Sequence, residues 1–151
     1  MGPIQSEPYQ RRHLHVEYEK LGQTMFEKTM LLLSGILAIG VGVAMLLFPV
    51  TFQGFQGVRF VPEPGILNEI RAAGVPIIAV GAFCLVALQK AQLKFAATSA
   101  AVVLYLGYGL ARILGFLLDG MPHMGLVLVS ALELGVGTAC LVLLMSHIAR
   151  R

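Results

Sequence analysis

The sequence predicts an all-α protein, a four-helix transmembrane bundle with both termini cytoplasmic. Three observations lead there. Only 13% of the 151 residues are charged and mean hydropathy is +0.80, whereas an ordinary soluble domain carries roughly 25% charged residues. Four apolar segments stand out, and a bilayer core of about 30 Å is crossed by about 20 helical residues. Basic residues gather at the two chain ends and in one connection. At this length one domain is sufficient.

Residues 1–28 form a polar cytoplasmic segment, and residues 29–151 form the membrane domain. The first segment contains "HLHVEYEKLGQTMFEK" and reads as a short interfacial helix leading into the bilayer. It has no apolar core of its own, so a cleaved signal peptide is not expected. "MGPIQS" formally fits a myristoylation pattern, which Pro3 and the lack of any eukaryotic context discount.

The first span covers 29–48 and is closed by Pro49. The second covers 69–88, with Asn68 as N-cap and Glu69 at the positive end of the helix dipole. Pro76 falls inside it and should kink it. The third covers 95–118 and the fourth 124–145. Arg11, Arg12, Lys20, Lys28, Lys90, Lys94, Arg150 and Arg151 then lie on one side, eight of the eleven basic residues. That side is cytoplasmic by the positive-inside rule. The 50–70 loop and the 119–124 turn face outward.

Small residues recur every fourth position: Ser34/Ala38/Gly42, Gly107/Ala111/Gly115 and Ala131/Gly135/Ala139. Such stripes let helices approach closely. The favoured use is packing within one bundle, and the alternative is a homo-oligomer interface. Cys84 and Cys140 sit in apolar runs and read as small packers, not as a disulfide or metal pair.

The charges inside the spans are the informative residues. Arg112 lies seven residues from Asp119 and Glu133 nine from Met124. At about 1.5 Å per residue both are roughly 10–13 Å below the outer surface. A lone charge at the bilayer centre costs about 2.5–3.5 kcal/mol on the insertion scale, so Arg112 and Glu133 should pair across adjacent helices. Tyr105, Tyr108, Arg112, Gly115 and Asp119 share a face of the third span, and Ser130, Glu133, Gly137 and Cys140 share one on the fourth. Glu69 and Arg71 add charge at the outer end of the second. The expected site is an outward-open pocket lined by Arg71, Tyr105, Tyr108, Arg112, Asp119 and Glu133. The alternative is a tightly packed ion-pair network that only fixes helix register.

At "LNEIRAAGVPIIAVGAF" and "GLARILGFLLDGMP", followed by Glu133, the chain resembles a bacterial family catalogued as domain of unknown function 4345 and related to DoxX-type four-helix membrane proteins. The matching positions are Glu69, Arg71, Gly74, Gly81, Arg112, Asp119, Gly120 and Glu133, and Pro76 departs from the pattern. The resemblance covers residues 30–145. It implies a four-helix bundle in the bacterial inner membrane, with Glu69, Gly74, Gly81 and Gly120 supporting the site. It leaves the activity open. Association of some DoxX-type relatives with membrane redox complexes is a fold-level analogy.

No nucleophile–base–orienter set, glycine-rich phosphate loop or metal-ligand spacing is present, which points away from an enzyme and calls for no cofactor. His13 and His15 belong to the tail, His123 to the outer turn and His147 to the inner end. Basic residues are not interleaved with aromatics, so no nucleic-acid partner is expected. The leading expectation is a pocket for a lipid, quinone or other small amphiphile, or an accessory subunit of a larger membrane complex. The alternatives are a quinone-presenting subunit of a redox complex and a transporter or channel protomer. A channel would need a polar path through the inner half, where the sequence offers little beyond Thr98 and Ser99.

Overall fold

The computed structural model describes residues 7–149, with side chains given for Glu17 and from Leu21 onward. The His13/His15 pair, Arg11, Arg12 and Lys20, and the terminal Arg150 and Arg151, lie outside the described side chains. The helices in order are α1 Glu7–Leu47, α2 Pro49–Phe55, α3 Pro64–Ala87, α4 Lys94–Asp119 and α5 Met124–Ile148. A single 3-10 turn, Ala91–Leu93, leads into α4.

Among the described residues, four helices are long and apolar enough to cross a membrane, with spans Leu21–Leu47, Pro64–Ala87, Ala91–Asp119 and Met124–Ile148. Their outward faces carry exposed Leu33, Ile36, Val86, Val103, Leu110, Leu117 and Val142, among others. In water such a surface would drive association; in a bilayer it is the contact with lipid.

Three boundaries differ from the sequence reading. The polar N-terminal stretch is not a separate interfacial helix: α1 runs unbroken for 41 residues from Glu7 into the first span. α3 starts at Pro64, not at Asn68, and its N-cap is Glu63. Proline at the first helical position loses nothing by lacking an N–H, because that donor would have no intrahelical partner. The 50–70 connection is not all loop, since it contains α2, which Pro49 starts in the same way.

α1 packs mainly on α3 and α4 on α5, two antiparallel pairs made by consecutive spans. Glycines set the first pair. A Cβ on Gly42 would come 2.6 Å from the Gly74 carbonyl oxygen, and one on Gly81 would come 2.8 Å from that of Gly35. In the second pair Gly109 receives Leu134, and Gly137 receives Leu106. The outward small residues play no such part: Gly107 and Gly135 have nothing within 4 Å of an added Cβ.

The two pairs meet closely at the Lys94 end. Small side chains are fully buried there, including Ser34, Cys84, Ala97, Thr98, Ala101 and Cys140. Both cysteines are free, as packers should be. At the opposite, Asp119 end the pairs separate, and α2 fills part of the gap.

Candidate functional site

A cavity of about 240 Å³ lies in that separation. Every helix contributes: Ala38 and Val41 from α1, Phe52 and Gln53 from α2, Ala73 and Ile77 from α3, Tyr105, Tyr108 and Arg112 from α4, and Leu132 and Glu133 from α5. Gln56, the residue that caps the C-terminus of α2, completes the wall. Most of the lining is apolar, and the polar groups converge on one side, as ligand pockets do.

The polar side is built on Arg112. Its Nε donates to Glu133 Oε2 at 2.8 Å and its Nη2 to Oε1 at 3.3 Å. Two parallel charge-assisted bonds make this the strong, directional form of an ion pair. The third arm, Nη1, donates to Gln56 Oε1 at 3.3 Å. Helix geometry explains the meeting: α4 and α5 are antiparallel neighbours, and equal distances from the Asp119 turn bring positions 112 and 133 level.

Tyr105 forms the floor. It is buried, and its hydroxyl donates to the Ser34 carbonyl oxygen at 2.6 Å. Ser34 Oγ also lies 3.4 Å from Cys140 Sγ. Below this level the small buried residues close the bundle. The roof is α2, which is held against the start of α5. Gly57, at φ +82°, lies against His123, and Gly125 against the Phe55 carbonyl oxygen. Gly57 adopts the left-handed region that favours glycine, and a side chain at either site would push α2 away. His123 caps α5, its Nδ1 accepting from the Gly125 amide at 3.1 Å.

Val41, six residues before the end of α1, and Leu132, eight residues after the start of α5, line the cavity and are also exposed. The sequence reading expected an outward opening, at the Asp119 end; α2, which it did not foresee, lies there and lines the cavity.

Of the six expected lining residues, Tyr105, Tyr108, Arg112 and Glu133 border the cavity, and Arg71 and Asp119 do not. Arg71 is exposed and its Nε donates to the Leu46 carbonyl oxygen at 3.2 Å, tying α3 to the end of α1. Asp119 is exposed at the last position of α4. Glu69 is likewise exposed on the first turns of α3. Gly74 and Gly81 serve the α1–α3 contact. Gly120, at φ 95°, ends α4 in a conformation that favours glycine.

Two features escaped the sequence reading. Gln56 is one; the spacing of Gln53 and Gln56 in "TFQGFQG" could have revealed it, since three residues apart is one helical face. The other is a charged cluster at the Lys94 end. Glu27 Oε2 lies 3.4 Å from Lys94 Nζ and Oε1 lies 3.2 Å from His147 Nε2, joining α1, α4 and α5. The His147 ring stands edge-on to Phe95 at 6.5 Å.

An apolar-sided four-helix bundle with an ion pair beside an internal cavity defines a small multi-pass membrane protein. Within that class the chain belongs to the DUF4345 family, a domain of unknown function, which it matches over residues 26–144. No curated protein and no solved structure matches it.

Proposed function

We propose that this is a non-enzymatic protein of the bacterial inner membrane that binds a small amphiphile, a lipid chain, quinone or similar molecule, in the cavity beside Arg112 and Glu133. One observation carries the reading: the ion pair borders about 240 Å³ of free space. A network that only fixed helix register would pack against its neighbours and leave no such volume. The exposure of the lining residues Val41 and Leu132 supports entry from the bilayer. The closed floor at Tyr105 favours a binding site over a conduit.

The orientation belongs to the same proposal. The eight-of-eleven gathering of basic residues supports cytoplasmic termini. The Asp119 end, and with it the cavity, then belongs to the outer leaflet.

The test compares the wild-type protein, extracted with its surrounding lipid in polymer nanodiscs, with the Arg112→Leu/Glu133→Leu double variant. Removing both charges together leaves neither one stranded, so the bundle should persist. Mass spectrometry of the extracted amphiphiles should find one species enriched over the bulk membrane with the wild type and not with the double variant. Identical, bulk-like composition in both samples would defeat the proposal.

A further inference from the structure

We infer that the polar wall selects a neutral hydrogen-bond acceptor, a carbonyl-bearing amphiphile, over an anionic or cationic one, with the side-chain amide of Gln56 as the donor. The inference rests on the reading of the cavity as a binding site and names the chemistry of its ligand.

Gln56 is only 3% exposed yet lines the cavity. Its amide is oriented by chemistry: a guanidinium has donors only, so the atom that faces Arg112 Nη1 must be the oxygen. The nitrogen Nε2 is then left on the other side of the amide. It is buried and has no hydrogen-bond partner. Buried side-chain donors are satisfied in the large majority of cases, and an exception calls for an explanation. Here the exception belongs to a residue that lines the cavity, and an acceptor brought to that amide from the cavity would remove it.

Charge decides what kind of acceptor. Glu133 already engages Arg112 through both carboxylate oxygens. An anionic headgroup would have to displace Glu133 or share the guanidinium with it, in a cavity whose walls are mostly apolar. A cationic headgroup would bring a second positive charge beside Arg112. An anion gives up more water than one amide N–H returns, and a cation finds no free charge partner, which is costly in apolar surroundings. A ketone, ester, amide or quinone oxygen brings no charge and needs only a donor. The apolar remainder would rest against Leu37, Met45, Phe52, Ile77, Leu104 and Val129. A volume of about 240 Å³ is below the roughly 300–1,000 Å³ of drug-sized sites. It suits a compact molecule, or one chain whose end leaves past the exposed Val41 and Leu132.

A matched ten-carbon series tests this: 2-decanone, decanoate, decylammonium and decane, each titrated at equal membrane mole fraction. The protein is the full chain in nanodiscs of zwitterionic lipid, and the readout is apparent affinity from the shift in unfolding temperature. For the wild type, 2-decanone should bind most tightly. Gln56→Leu should weaken 2-decanone about fivefold, the equivalent of one hydrogen bond, and leave decane unchanged. Gln56→Glu keeps an acceptor for Arg112 but has no N–H, so it should show the same selective loss, and it serves if the leucine variant does not fold. Tightest binding of decanoate or decylammonium would overturn the inference while sparing the binding site. So would 2-decanone affinity that is indifferent to both substitutions. If no member of the series shifts the wild type, the site itself is refuted.

Discussion

A guanidinium in a membrane-spanning helix is tolerated only with a partner, and Arg112 has two, Glu133 and Gln56. Truncating one side of a buried pair strands the other. Arg112→Leu or Glu133→Leu alone should therefore cost about 3–5 kcal/mol, and the double variant far less than the sum. Equilibrium unfolding in mixed micelles measures all three; strictly additive losses would mean that the residues do not act as a pair. This part of the site was legible in the sequence, because matched depth follows from helical rise alone. Arg71 was not. Its distance from the helix start placed it correctly at the Asp119 end, but depth says nothing of direction around the helix. The backbone carbonyl of Leu46 offers it a nearer partner than the cavity does. Gln56 was missed for a related reason: it lies in a connection with no span periodicity to assign it a face.

At the level of elements, glycine spacing divides the helices into pairs. Gly42 meets Gly74 and Gly35 meets Gly81, so bulk at any of them must separate α1 from α3. Gly74→Val should destabilise by about 1–3 kcal/mol, the usual cost of overpacking. Gly135→Val has open space and should stay within about 0.5 kcal/mol, as surface substitutions do. Thermal unfolding of the two variants side by side checks the contrast, and equal losses would contradict the assigned interfaces. The sequence showed that small residues recur every fourth position, but not which of the stripes face inward. Ser34, Ala38 and Gly42 are buried, whereas Gly107 and Gly135 are exposed. Helices that are apolar on all sides give no polar face to reveal the buried one. α2 was invisible for another reason. It is a seven-residue helix without a side-chain cap; it packs on α1 and α3, and its last carbonyl meets Gly125, far away in sequence.

For the whole molecule, the four spans were legible because length and apolarity are the dominant constraints on a membrane chain. The orientation proposed from the basic residues makes its own prediction. Membrane-impermeant thiol reagents added outside intact cells should label a cysteine placed at His123 and spare one placed at Lys90. The reverse pattern would turn the cavity toward the cytoplasm.

The central claim is that the space beside Arg112 and Glu133 is a binding site, and native mass spectrometry of nanodisc-held protein tests it most directly. Wild type is compared with Ala73→Phe, a substitution on the half-buried α3 wall that fills the cavity and leaves the ion pair intact. The account predicts a one-to-one amphiphile adduct on the wild type that disappears from the filled variant while its unfolding temperature is maintained. A wild type that carries no adduct, or an adduct that survives the filling of the cavity, would contradict it.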